Sequence, residues 1–222
     1  MRRALSLLAL CGIAAVLAVT ATAAQSPAQL VQRATAAAIS AKSVRVVATG
    51  IPNGNSNMSW DFTLVAGKGG SGSMTLGKDR IDLIRVGGWA YFRAGTGFWT
   101  KYGTAAAQLV AGKWVKVNAT NPDFVDLTAL TDIKQFFSGI LSSHGKLKIG
   151  QTKTINGTKA ISLVDAGKGG GALWVAASGT PYPLLLLPPS GPGQVVFESW
   201  NEPASVSAPK SSLDFAALTK KK

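Results

Sequence analysis

Most of the chain is a succession of short segments in which apolar and polar residues alternate, with glycines between them. In the clearest segment, MSWDFTLVAG, Met58, Trp60, Phe62 and Leu64 would share one face of a strand. The same strand-like pattern continues in GSGSMTLG, RIDLIRV, GWAYFRA and GFWTKYG. Short strands with tight turns are typical of an antiparallel meander. The pattern predicts one large antiparallel sheet of about ten strands.

Helical patterns interrupt these strands at the start and in the middle of the chain. In SPAQLVQRATAAAISAKS, Ser26 is a suitable N-cap and Pro27 suits the first helical position. The segment DLTALTDIKQFFSGILSSHG has helical apolar spacing, with Asp126 or Thr128 as candidate caps, and TAAAQLVAG is predicted as a shorter helix. So few helices cannot cover both faces of a large sheet. We therefore predict an α+β fold in which a strongly curved antiparallel sheet wraps around a few helices and leaves a hydrophobic cavity.

Four consecutive leucines, 184–187, stand between prolines in PYPLLLLPP. The prolines exclude a continuous helix because each lacks a backbone N–H and has a restricted φ. In an extended strand Leu184 and Leu186 face one way, and Leu185 and Leu187 face the other. The sequence thus predicts a strand that is apolar on both faces.

The N-terminus has the layout of a secretory signal peptide. A basic MRR precedes the apolar run ALSLLALCGIAAVLAV, and Ala21 and Ala23 occupy the positions that signal peptidase prefers. We assign residues 1–23 to a signal peptide and residues 24–222 to a single domain. A retained membrane anchor is the alternative. The protein is expected in the cell envelope or periplasmic space, or secreted.

Cys11 is the only cysteine of the chain. A cysteine that receives a lipid anchor normally ends the apolar run and follows a small residue, whereas Cys11 lies within the run and follows Leu10. We therefore expect a protein that is not lipid-anchored at Cys11. Without disulfides, its folded domain depends on its core, for which the 46% of hydrophobic residues provide ample material.

The sequence contains little that could perform catalysis. His144 is the only histidine, and the motifs G-x-S-x-G, H-E-x-x-H and C-x-x-C do not occur. We expect no enzyme activity, no cofactor and no metal. The formal net charge of +13 is spread along the chain, which favours a solvated basic surface, with an anionic membrane surface as a candidate partner. No nucleic-acid partner is expected, and the protein is expected to be a monomer.

The second half of the chain carries a family resemblance. The segment ASGTPYPL resembles the strand–turn–strand element of the actinobacterial LppX/LprG-type lipoproteins, which are relatives of the lipoprotein carriers LolA and LolB. The segment FESWNEPASVSAP is similar to their closing strand, and the likeness extends from about Val44 to Pro209. The resemblance implies a LolA-like half-barrel whose hydrophobic cavity holds the acyl chains of lipids or lipoglycans in transit across the envelope, with an envelope transporter as a candidate partner.

The alternating pattern and this resemblance together suggest which residues line such a cavity. From the strands and the middle helix we select the members expected to face inward: Trp60, Phe62, Leu64, Met74, Leu76, Phe136, Phe137, Ile140, Leu173, Val175, Leu184 and Leu186. A second hypothesis is an interaction or stress-sensing module of the same fold, with its cavity closed by side chains. A cavity of several hundred Å³ would favour the carrier, and a packed concave face would favour the module.

Overall fold

The computed structural model describes residues 25–142, 144–167 and 170–219. The predicted signal peptide and Cys11 lie outside these residues. None of the described helices combines the length and the apolar character that a membrane span requires.

The described residues form six helices and twelve strands. The helices are α1 (Pro27–Ser40), α2 (Thr96–Trp99), α3 (Thr104–Val110), α4 (Val125–Ala129), α5 (Ile133–Ser142) and α6 (Phe215–Thr219), with a 3-10 turn at Thr100–Tyr102. The first six strands are β1 (Ser43–Asn53), β2 (Ser56–Val65), β3 (Gly69–Leu76), β4 (Asp79–Val86), β5 (Trp89–Ala94) and β6 (Val115–Asn118). The others are β7 (Leu147–Ile155), β8 (Thr158–Asp165), β9 (Ala172–Ala176), β10 (Pro183–Leu187), β11 (Gln194–Glu198) and β12 (Leu213–Asp214).

All twelve strands belong to one sheet, in the order β12-β6-β5-β4-β3-β2-β1-β11-β10-β9-β8-β7. Neighbouring strands are antiparallel, except that β12 runs parallel to β6. The two edge strands, β7 and β12, do not pair with each other, so the sheet is open. This arrangement confirms the predicted fold class, a large half-barrel sheet with a few helices.

The N-terminal helix forms as its sequence predicts. Ser26 Oγ accepts a hydrogen bond from Gln29 N, and Gln29 Oε1 accepts one from Ser26 N, which completes a capping box before Pro27. The helix buries its apolar stripe, which includes Leu30, Val31 and Ala34. This stripe packs against α5 on the concave side of the sheet.

The long helix predicted in the middle of the chain is in fact two, α4 and α5. The break falls at Asp132, whose Oδ1 accepts a hydrogen bond from Gln135 N at 2.8 Å. Neither Asp126 nor Thr128 caps α5, because Thr128 Oγ1 instead donates to the carbonyls of Ala119 and Val125. A short polar side chain that bonds the backbone locally is favoured at a helix start, which explains why the helical pattern restarts at this residue.

The segment GFWTKYG, predicted as a strand, forms α2 and the 3-10 turn. Phe98 and Trp99 are both buried in the main core, where they contact each other edge-on with ring centroids 4.9 Å apart. Successive residues of a strand point to opposite faces, so a strand could not place both rings in one cluster. Phe124 and Phe215 complete this aromatic cluster, and Phe215 brings the C-terminal helix to it.

The leucine strand is apolar on both faces, but its alternation is broken. A β-bulge between Pro183 and Leu185 shifts the register against β9. As a result Leu184 joins Leu185 in a second cluster on the convex face, around Trp174, while Leu186 packs against the main core. The prediction that Leu184 and Leu186 share a face is wrong, because the bulge adds one residue to β10.

Candidate functional site

A cleft of about 490 Å³ opens at one end of the concave face, between the two long helices and strands β7–β10. Val31 of α1 and Ile140 and Leu141 of α5 form its helical side. The opposite side consists of the leucines of four successive strands, Leu147, Leu163, Leu173 and Leu186. Aliphatic side chains therefore form two facing walls of the cleft, and polar groups make up much of the remaining lining.

The floor of the cleft follows from strand register. Leu163 pairs with Leu173, and Leu173 pairs with Leu186, so three leucines of neighbouring strands lie in one row. The row continues into β11 with Val195, the partner of Leu186. Cross-strand partners lie on the same face of a sheet, so the register of four strands makes this continuous apolar surface.

The rim of the cleft is polar. The Asp165 carboxylate accepts hydrogen bonds from the backbone N–H groups of Gly145 and Gly167, each at 2.8 Å. The bond from Gly145, then that from Gly167, lowers the pKa of Asp165 below its ordinary value of 3.8, with a smaller contribution from nearby His144. Asp165 and His144 thus present polar groups at the mouth of an apolar cleft.

The predicted cavity residues divide into two groups. Ile140, Leu173 and Leu186 line the cleft, and their contact with a ligand stays a prediction. The others, apart from Leu184, pack in or against the main core beneath the helices: Trp60, Phe62, Leu64, Met74, Leu76, Phe136, Phe137 and Val175. Over strands β1–β6 the concave face is therefore filled by protein side chains.

Several cleft residues were absent from the predicted set. Val31 belongs to the apolar stripe of α1, and Leu163 to an alternating strand, so both carried a burial signal. Their position at a cleft depends on which strand ends lie beside the end of α5, and local periodicity contains no such information. His144, the only histidine of the sequence, lies on the rim, with Nδ1 3.0 Å from the carbonyl oxygen of Gly145.

The cleft contains no constellation typical of catalysis. Its titratable lining groups among the described residues are His144 and Asp165, and the carboxylate of Asp165 is already bonded to backbone N–H groups. The described parts of the chain also contain no cluster of three or more histidine, cysteine or acidic residues that could hold a metal ion. What the arrangement offers chemically is an apolar space with a polar entrance.

Comparison with known proteins supports the fold. No protein-family model matches the chain, and no curated protein matches it. LprF from Mycobacterium bovis is similar in structure, with a TM-score of 0.56 and 16% sequence identity over 82% of this chain and 96% of LprF. The Mycobacterium tuberculosis lipoprotein LppX has a TM-score of 0.52 and 17% identity over 82% of this chain and all of LppX. The resemblance seen in the sequence is thus confirmed at the level of the fold: the chain has the half-barrel fold of LprF and LppX.

Proposed function

We propose that the protein is a non-enzymatic carrier that binds the acyl chains of a lipid or lipoglycan in this cleft and moves the molecule across the cell envelope. The observation that carries the proposal is the cleft itself, about 490 Å³ of space bordered by leucines of four neighbouring strands. This volume falls within the range of roughly 300–1,000 Å³ that is usual for small-molecule sites.

The chemistry of the cleft matches an amphiphile. An acyl chain gains free energy by leaving water for a surface such as the row Leu163, Leu173 and Leu186. A polar headgroup would remain at the mouth, where Asp165 and His144 offer hydrogen-bonding groups. The apolar floor and the polar rim together favour a lipid over a wholly apolar ligand.

The packing of the remaining concave face limits where cargo can lie. Phe62, Phe92, Phe124 and Phe137 are fully buried there, which is the closed arrangement that the interaction-module hypothesis requires. The cleft remains open at the β7–β10 end, however, and its size favours the carrier. We place the cargo at that end alone.

We further propose that the protein acts outside the cytoplasm, after export by the signal peptide at residues 1–23, with residues 24–222 forming one functional domain. The similarity in fold to LppX, a lipoprotein, supports an envelope location. The poor context of Cys11 favours a form without a lipid anchor. Intact-mass measurement of the envelope protein tests this, since a diacylglyceryl mass on an N-terminal Cys11 would contradict it.

Native mass spectrometry of protein purified from its own envelope tests the carrier proposal. We expect adducts that dissociate on activation and that lipid extraction identifies as acyl-containing molecules. A protein that shows only its apo mass under conditions that preserve other lipid complexes would contradict the proposal. Transfer of the extracted lipid between donor and acceptor vesicles then separates a carrier from a protein that only binds.

A further inference from the structure

A second pocket, of about 450 Å³, lies at the opposite edge of the sheet, beside strands β5, β6 and β12. Its lining combines aromatic rings with amides and carboxylates: Trp89, Tyr102, Asn118, Asn121, Asp123 and Asp214. The lipid cleft lies by β7–β10, at the other end of the strand order. The two cavities share no lining residue, so this pocket is not part of the cleft.

Trp89 supplies an exposed aromatic surface to this pocket. It is 41% exposed, whereas Trp60, Trp99 and Trp174 are buried in hydrophobic clusters. Lys116 Nζ lies 3.7 Å from the centre of its ring, and Asn118 is its cross-strand partner on β6. The lysine covers one face of the ring, so a ligand with an apolar face would stack on the opposite face, where the ring is already held in place by the lysine.

The side-chain amides of the pocket have N–H donors that are not used within the described residues. Asn118 Oδ1 already accepts bonds from Thr120 N and Oγ1, and Asn121 Oδ1 accepts one from Asp123 N. Neither Nδ2 group donates to a described residue, so each offers free N–H groups. Because the amide oxygens are occupied and Lys116 is adjacent, the pocket is unsuited to a metal cation, which would require those oxygens as ligands.

The acceptors of the pocket come from the carboxylates. Asp123 accepts no side-chain hydrogen bond from the described residues, and Asp214 uses one oxygen to accept from Ala216 N at 2.9 Å. Tyr102 remains a neutral hydroxyl, because burial, together with the charge of Asp123, raises its pKa to about 12. These carboxylates would repel an anionic ligand, whereas neutral hydroxyl groups can both donate to them and accept from the amides.

We propose that this pocket binds a neutral hexopyranose unit of an envelope glycan, stacked on Trp89 and hydrogen-bonded by Asn118, Asn121 and Asp123. A pyranose ring presents C–H groups on its face and hydroxyls on its edge, which matches an aromatic platform bordered by free donors and acceptors. The proposal rests on the proposed location outside the cytoplasm but not on the carrier function, because the pocket and the cleft share no lining residue.

Nuclear magnetic resonance tests the site in the full mature chain. Cellotetraose, maltotetraose and α-1,6-linked mannotetraose are titrated while the Trp89 indole N–H and the side-chain amides of Asn118 and Asn121 are followed. We expect at least one probe to shift these three signals together, with a saturable curve. Absence of shifts with all three probes at millimolar concentration would overturn the proposal, as would shifts confined to other parts of the protein.

Variants then connect binding to the named groups. Trp89→Ala and Asp123→Ala are each expected to weaken binding about tenfold or more, and Trp89→Phe to restore much of it. Leu109→Ala is the matched control, because Leu109 is 53% exposed and lies outside the pocket. Binding that survives Trp89→Ala unchanged would also overturn the assignment. Trp89 and Asp123 are both exposed, so both alanine variants should fold.

Two sources present the same sugar ring, a wall polysaccharide and the headgroup of a glycolipid. Co-sedimentation with insoluble polysaccharide of the linkage that binds, and with phosphatidylcholine vesicles containing a monoglucosyl diacylglycerol, distinguishes them. We expect the wild type, and not Trp89→Ala, to sediment with at least one. If the two proteins sediment alike in both assays, the pocket has no role in glycan attachment.

Discussion

The ring of Tyr182 stacks on the ring of Trp200, with centroids 4.5 Å apart and planes inclined by 13°. Trp200 Nε1 donates to the carbonyl of Pro183 at 3.1 Å, and Asn201 Nδ2 donates to Tyr182 Oη at 2.7 Å. These contacts join the turn before β10 to the end of β11. They connect the two segments, ASGTPYPL and FESWNEPASVSAP, in which the resemblance to LppX/LprG-type proteins is found.

Trp200→Ala is therefore expected to destabilise the protein by about 2–4 kcal/mol, since it removes the stack, the bond to Pro183 and contacts with Phe137. Urea unfolding monitored by circular dichroism measures the change. Leu109→Ala, at an exposed site, should stay within about 0.5 kcal/mol of the wild type. Equal stability of the two variants would mean that the stack is not structural.

Ile140→Trp is expected to fill the cleft and lower the amount of co-purified lipid. Ile140 is half-buried and borders the open space, so the larger ring can enter the cleft with little effect on the melting temperature. The lipid-to-protein ratio in native mass spectra measures the effect, and Leu109→Trp controls for the added ring. An unchanged lipid-to-protein ratio in Ile140→Trp would show that the cleft is not the acyl-binding site.

Leu64→Trp should behave in the opposite way. Leu64 is fully buried in the main core, and a methyl group added at neighbouring Gly70 would lie 2.9 Å from Leu64 Cδ2, so the space on that side is already filled. Overpacking should cost about 1–3 kcal/mol of unfolding free energy, while the folded fraction keeps its lipid. Loss of lipid without loss of stability would instead show that the cavity extends to β2.

Acid should loosen the rim of the cleft by protonating Asp165. The folded-state pKa of Asp165 lies below its ordinary value of 3.8, so the stabilisation from the carboxylate is complete above that value and is lost as the pH falls through the lowered pKa. The carboxyl carbon chemical shift of Asp165 measures the midpoint of its protonation. Amide exchange at Gly145 and Gly167 measures the resulting loss of their hydrogen bonds. A midpoint at or above 3.8 would contradict the hydrogen-bonding account, and Asp165→Asn should remove this pH response.

Local sequence patterns were sufficient to predict much of the fold. The alternation in MSWDFTLVAG predicted β2, with Trp60, Phe62 and Leu64 on the core face. Ser26 and Pro27 predicted the start of α1. Such features depend on the periods of strands and helices and on the chemistry of a few neighbouring residues, so a single sequence contains them.

Other features depended on contacts between distant segments. The bulge that moves Leu184 to the convex face arises from pairing with β9, and Phe98 and Trp99 are helical because one aromatic cluster holds both. The parallel pairing of β12 with β6 joins residues that lie far apart in the chain.

The sequence by itself determined that this protein is a large, mainly antiparallel sheet with a few helices. Only the tertiary structure decided which apolar residues are packed in the core and which border the open cleft. Leu64 and Ile140 carry the same kind of burial signal, yet Leu64 is packed core and Ile140 borders the cleft. The physical reason is that hydrophobic patterning specifies only the face on which a side chain lies. The cleft is the space that side chains leave unfilled where the apolar face of the sheet meets the end of α5, and it depends on how these distant segments pack.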